Sequence, residues 1–466
     1  MAEILLDANP LEARAARLAD GQVRDLRVTS LDGSDAAPAD GDLVLGRVRR
    51  IDQALQAAFV EIGDARDGYL DASDLRPRQK RPVQRRLQEG QALLLQVRHG
   101  ALAGKGAGLT MAVQLPGWRL VLTPTDSDLT VSRRIADAAE RQRLRAALAG
   151  ADGGGRDGPG CIVRTIAEGA AADSLQAEYA HLAAQWRELA AAAEAAGPVP
   201  RGLRAEAPAC AALRDWLQPG DAVLALDGAA LAQARPWLQA HAPEVPLRLA
   251  APAEAAERGA LLDEAVQSAL EVRLDLPSGA AVSIVETPAL TAIDVDSAAS
   301  GPAPAGIRAL RVNLEAVAAI ARQMRLRGIG GLLVIDFLRM ADPRQQAEVL
   351  DALRTALADD PEAGQVLPFS PLGLVELVRR RRGPSLSQCL LDPAAPQLRP
   401  AAAAALALRR LRAEQQALQG RRLRLSCPPE VARLLPPERL QRAGLNAEVA
   451  ADATVPRHAP RIGPAG

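Results

Sequence analysis

Two apolar runs ending in carboxylates, about forty residues apart, most constrain how this chain can fold: Leu290-Thr291-Ala292-Ile293-Asp294-Val295-Asp296-Ser297 and Gly330-Gly331-Leu332-Leu333-Val334-Ile335-Asp336-Phe337. Short apolar runs of this kind read as buried strands, and open α/β sheets present ligands at the carboxyl ends of their strands. Side chains alternate along a strand, so Asp294 and Asp296 share one face while Ile293 and Val295 turn to the core. Asp336 then comes in from a neighbouring strand. Between the two runs, Asn313 to Arg327 reads as a helix with Val317, Ile320, Ala321 and Met324 on one face and Arg325 and Arg327 at its C-terminal end.

Carboxylates gathered in this way repel one another unless a cation sits among them. Mg²⁺ takes one or two carboxylates and completes its octahedron with water and substrate phosphate. Asp294, Asp336 and Asp296 are therefore the candidate metal ligands, and Arg325 and Arg327 the candidate phosphate partners. For two isolated acids the competing reading is strand-end carboxylates that cap loops or pair with arginine.

At 466 residues the chain has room for about three domains with cores of their own. Its 56 basic and 56 acidic residues cancel, which argues against a general polyanion-coating protein but leaves room for local basic channels. The only lysines are Lys80 and Lys105, and with heavy Ala, Gly and Pro usage this suggests a GC-rich coding bias, so arginine counts alone say little about phosphate binding. Cys161, Cys210, Cys389 and Cys427 show no C-x-x-C spacing, so neither a disulfide framework nor a zinc knuckle is encoded. The N-terminus lacks a basic start with a long apolar core, and no run of 18 apolar residues occurs, so a cytoplasmic protein without a membrane partner is expected.

Residues 2–32 read as strand, polar patch, strand, too few to stand alone. From about residue 41, short strands separated by turn residues suggest a five-stranded barrel of the OB type. Phe59 and Tyr69 fall inside it, where an OB-fold uses rings to stack bases; the competing reading is barrel core. Lys105, in a glycine-rich loop, offers a point charge for a phosphate. Then come Val131-Ser132-Arg133-Arg134-Ile135, a helix from Ala136 to Leu148, a strand through Ile162-Val163 that ends in Arg164 and Thr165, and a helix over about 170–196. A guanidinium fork beside a hydroxyl suits a terminal phosphate. Residues 208–275 alternate helix and strand and are expected to complete the sheet begun at the N-terminus.

The order of these elements resembles the ribonuclease E/G family of bacterial endoribonucleases. The match runs from the N-terminus to about residue 388 through GRVRRIDQALQAAFVEIG, GYL, GKGAGLT, VSRRI, GCIVRT, LPSG, LTAIDVDS, NLEAVAAIARQMRLRGIGGLLVIDF and GLVEL with its arginine tail. The resemblance implies a multidomain α/β protein: an RNase H-like domain (1–38 and 208–275) split by an OB-fold RNA-binding barrel (39–115) and a 5′-sensor region (116–207), then a DNase I-like catalytic subdomain (276–388) and a linker with a shortened small α/β domain (389–466). It implies Mg²⁺ on Asp294 and Asp336, with Mn²⁺ as a substitute, and an RNA 5′-monophosphate at Arg164 and Thr165. Single-stranded RNA, from rRNA precursors and mRNA, would lie on Phe59, Tyr69, Lys105, Arg133, Arg134, Arg325, Arg327, Arg379 and Arg381.

Four positions depart from the family pattern. Asp296 stands where an asparagine is usual, Pro371 precedes the glycine of GLVEL where an arginine is common, and Arg339 replaces an acid after IDF. Cys389 has no near partner, so two chains cannot complete a four-thiolate zinc link, and a homodimer would form without zinc, through Leu406, Leu408 and Leu411. The resemblance implies a chain nearer the shorter ribonuclease G type, expected to lack the scaffold of the longest members. The four histidines, His99, His181, His241 and His458, lie outside the matched catalytic elements, which favours metal-activated water over 2′-hydroxyl chemistry. The alternative is an RNA-binding relative that keeps the scaffold but has lost turnover.

Overall fold

The computed structural model describes residues 2–31, 38–77, 79, 81–101, 106–149, 158–197, 200–204, 206–297, 305–418 and 421–465. Lys105 lies outside the described residues. The chain forms two compact units: residues 33–224 with 228–248, and residues 2–32 with 225–227 and 249–466.

The second unit opens with three antiparallel strands, β1 (Glu3–Asn9), β2 (Glu12–Ala19) and β3 (Gln22–Ser30). The stretch expected as a polar patch is thus a strand, and its charges are buried, Glu12 at 3% and Arg14 at 5% exposure. They are buried as a set. Glu12 Oε1 accepts from Arg14 Nε and from Arg409 Nη1, each at 2.6 Å, and Arg14 Nη1 reaches Asp263 Oδ1 at 2.5 Å. Mutual pairing offsets the several kcal/mol that desolvating each ion would cost. Residues 225–227 extend this sheet as expected: Leu226 donates its N–H to Leu6 O, and Ala8 donates to Asp227 Oδ2.

In the first unit, β4 (Leu43–Asp52), β5 (Ala57–Glu61), β6 (Gly68–Asp71), β7 (Ala92–His99) and β8 (Gly108–Thr110) close into a barrel. Closure follows because β4 pairs with both β5 and β7, while β8 pairs with β6 and β7. Val44, Val60, Leu70, Leu95 and Leu109 fill it. A four-stranded sheet follows, β9 (Leu115–Pro116), β10 (Leu120–Thr123), β11 (Leu129–Val131) and β12 (Gly160–Val163), with helices α1 (Ala138–Leu148) and α2 (Ala172–Ala196) sharing its core. β13 (Arg201–Arg204) returns to pair with β4. After it come α3 (Pro208–Trp216), β14 (Ala222–Ala225), α4 (Gly228–His241) and β15 (Leu247–Leu249).

Back in the second unit, α5 (Pro252–Leu270) precedes a six-stranded sheet of order β16-β17-β18-β19-β21-β20. Its strands are β16 (Arg273–Asp275), β17 (Ala281–Glu286), β18 (Thr291–Asp296), β19 (Gly331–Asp336), β20 (Ala363–Val366) and β21 (Leu374–Arg379). Helix α6 (Ala305–Leu326) makes the crossover between the parallel pair β18 and β19, and α7 (Pro343–Ala356) follows β19. Ile293, Val295, Leu333 and Ile335 share a core with Val317, Ile320 and Met324 of α6.

The C-terminal part holds α8 (Leu386–Leu390), α9 (Pro400–Ala417), β22 (Leu423–Cys427), α10 (Pro429–Ala432), α11 (Pro437–Arg442), β23 (Ala447–Ala451) and β24 (Arg461–Pro464). Of the helix face expected to serve a dimer, Leu408 and Leu411 are buried with Leu11, Leu423 and Leu425, and Leu406 is half-buried. No helix of the described residues is long and apolar enough to cross a membrane.

Candidate active site

The alternation read from the sequence places the acids. Along β18, Thr291, Ile293 and Val295 are buried while Ala292, Asp294 and Asp296 are exposed, and β19 leaves Asp336 exposed on the same face. Asp294 and Asp336 stand opposite each other in the parallel register, flanked by Ser283 of β17 and Leu374 of β21. Adjacent strands lie about 4.8 Å apart, so the two carboxylates are immediate neighbours. The β19 run is not buried on both faces, however, since Leu332 is 39% exposed. Fully buried Asn313 of α6 fixes the chain just beyond Asp336, donating Nδ2 to Leu338 O and accepting Leu338 N–H on Oδ1, both at 2.9 Å.

Partial burial raises the Asp294 carboxyl above the usual range, and the neighbouring charges of Asp296 and Asp336 raise it further. No basic group among the described residues pairs with Asp294 or Asp336. Asp296 differs: its Oδ2 meets Arg273 Nη1 at 3.1 Å. Among the described residues no three His, Cys, Asp or Glu side chains converge as a metal-holding group. A repelling carboxylate pair on an open face, without a basic partner among the described residues, fits a hydrated Mg²⁺, which needs only one or two carboxylates.

Three of the arginines expected to face phosphate are engaged inside the fold. Arg325 forms a bidentate pair with Asp25 at 2.7 and 2.8 Å. Arg327 is buried, bonded to Gln323 Oε1 and Glu271 O. Arg379 is buried against Asp360 and Ile329 O. Packing a guanidinium among carboxylates and carbonyls uses the same fork that would bind phosphate. Arg381 is exposed and donates to Gly330 O at 3.1 Å.

In the first unit, Phe59 and Tyr69 are cross-strand partners whose side chains lie outside the barrel core, Tyr69 at 36% exposure. Their rings meet edge to face at 6.0 Å, and the Arg50 guanidinium sits 4.4 Å from the Phe59 centroid. Arg50 was not singled out by the sequence; its place opposite Phe59 on β4 was the available signal. Thr165 is exposed, and its Oγ1 meets Ser132 Oγ at 2.9 Å. Arg133 and Arg134 are exposed beside Ser132. Arg164 is half-buried, its Nη1 donating to the carbonyls of Gly117, Trp118 and Arg214 at 3.0–3.1 Å.

Comparison with known proteins bears on this arrangement. Residues 114–382 match the model of the Ribonuclease E/G family. The chain is 31% identical over 408 residues to Ribonuclease G of Salmonella typhimurium, covering 84% of this chain and 82% of that protein. It is 33% identical over 413 residues to Ribonuclease E of Haemophilus influenzae, covering 83% of this chain and 42% of the relative. With Ribonuclease E of a Nostoc species it shares 34% over 365 residues, covering 76% of this chain and 52% of that protein. The matched span contains both strand-end carboxylates and the helix between them, and the chain belongs to the ribonuclease E/G family.

Proposed function

We propose that the chain is an endoribonuclease that hydrolyses single-stranded RNA with Mg²⁺ at Asp294 and Asp336, leaving 5′-phosphate and 3′-hydroxyl ends and favouring 5′-monophosphorylated substrates. The observation that carries this reading is the in-register Asp294–Asp336 pair on an open sheet face, in a chain of this family. When bound, Mg²⁺ supplies positive charge that lowers the pKa of a water and stabilises charge on the scissile phosphate. Asp294 and Asp336 hold that charge in their ionised forms, and Asn313 keeps the strand end in place. Phe59 and Tyr69 offer stacking platforms, each worth about 1–3 kcal/mol per base, with Arg50 beside them for a backbone phosphate. Arg164 and Thr165, with Ser132 added, form the terminal-phosphate pocket.

Precursor rRNA and mRNA in the cytoplasm are the substrates this reading implies. An RNA-binding relative without turnover loses part of its motive, because the extra charge of Asp296 is met by Arg273. The test is incubation of a single-stranded, 5′-monophosphorylated RNA with and without Mg²⁺, followed by analysis of product ends. Internal cuts that need Mg²⁺ and carry 5′-phosphates support the reading; 2′,3′-cyclic phosphate ends, or binding without cleavage, contradict it.

A further inference from the structure

Two consecutive peptide groups in the first unit are held from both sides by opposite charges. The turn Gly117–Arg119 joins β9 to β10 and is closed by Gly117 N–H on Leu120 O at 2.8 Å. On one side stands Glu178 of α2, only 1% exposed. Its Oε1 accepts the N–H of Trp118 at 2.5 Å, and its two oxygens accept the N–H of Arg119 at 3.1 and 3.2 Å. On the other side, the carbonyls of the same two peptides, Gly117 O and Trp118 O, both receive Arg164 Nη1 at 3.0 Å. In a trans peptide the N–H and C=O point in opposite directions, so a carboxylate on the first and a guanidinium on the second polarise the same dipoles in the same sense.

A buried carboxylate is costly unless donors surround it, and Glu178 has these N–H groups with His241 Nδ1 at 3.2 Å. The glycine is part of the device: a Cβ at Gly117 would lie 2.2 Å from Glu178 Oε1 and 3.0 Å from His241 Nδ1. Arg164 N–H also bonds Arg119 O at 2.9 Å, which ties the turn to the backbone of the candidate pocket.

We infer that Glu178 is a positioning residue for recognition of the RNA 5′ end: through the 117–119 turn it fixes the orientation of the Arg164 guanidinium. This rests on the reading of Arg164 and Thr165 as the terminal-phosphate pocket. The side chain itself touches no substrate; it sets the geometry that a phosphate meets.

The test compares kcat/KM for one RNA sequence bearing either a 5′-monophosphate or a 5′-hydroxyl. In Glu178→Ala the ratio of the two falls about tenfold, through KM of the phosphorylated substrate, as expected when a charged hydrogen-bond partner is lost. Glu178→Gln keeps an acceptor oxygen but not the charge, and its ratio falls less, about threefold. Gly117→Ala lowers the ratio in the same direction. A wild-type ratio in folded Glu178→Ala, or in Glu178→Gln where the alanine variant does not fold, overturns the inference. Arg164→Ala separates the two levels: if it leaves the ratio at the wild-type value, the phosphate-pocket reading itself fails, whatever the Glu178 variants do.

Discussion

Arg273 and Asp296 meet at 3.1 Å at the end of the carboxylate row, with side chains 57% and 50% exposed. An exposed pair of this kind contributes about 0–1 kcal/mol, so its effect on the neighbouring site is one of tuning. Asp296→Asn should therefore shift the Mg²⁺ concentration for half-maximal cleavage by no more than about fivefold. A Mg²⁺ titration decides, and a loss as large as that of Asp336→Asn would make Asp296 a ligand after all. On the barrel, Phe59→Ala or Tyr69→Ala should raise KM about tenfold with little change in kcat, since stacking acts on binding. Equal KM values in wild type and variants would assign the rings a structural role alone. Charged residues were the least legible from the sequence. Arg325 and Arg379 look like phosphate binders in a linear reading, but Asp25 is 300 residues from the first and Asp360 lies 19 residues from the second. The aromatic pair and the acids were legible because strand alternation is local.

At the scale of elements, the strands with alternating burial, β18 above all, stand where the sequence places them, and the helix expected from Asn313 is the latter part of a longer α6. β2 was hidden because its burial depends on partners from far along the chain: Arg409 of α9 and Asp263 of α5 neutralise Glu12 and Arg14. Burial pushes the Glu12 carboxyl up, but Arg409 and Arg14 more than offset this and hold it below its usual value. A carboxyl whose pKa is lower in the folded than in the unfolded chain contributes stability above the unfolded value, about 4.3, and that contribution is lost as pH falls through the folded value. Glu12→Gln should thus cost about 3 kcal/mol at pH 7, because it strips a counter-charge from two buried arginines. Denaturant unfolding should show the gap between wild type and variant narrowing below about pH 4. A gap that stays constant with pH would show that Glu12 acts through packing alone.

For the whole molecule, two of the four cysteines are sealed in the cores: burial pushes the Cys161 thiol up to about 12 and the Cys427 thiol up to about 11. The two lie in separate hydrophobic cores, and Cys389 stands on a five-residue helix without a C-x-x-C partner. Metal analysis of the purified protein should accordingly find no stoichiometric zinc, and a chelator should leave the size measured by light scattering unchanged; one zinc per dimer, lost with the dimer on chelation, would show a site built from other ligands. On the proposed reading Asp294 and Asp336 together hold the metal on which cleavage depends, and single-turnover cleavage by Asp294→Asn and Asp336→Asn measures that dependence. Each variant should retain the circular dichroism and unfolding midpoint of the wild type, yet cut Mg²⁺-supplemented RNA about a thousandfold more slowly, on the order expected when a catalytic charge is removed. Wild-type rates in either folded variant would show that cleavage does not depend on a metal held by these two carboxylates.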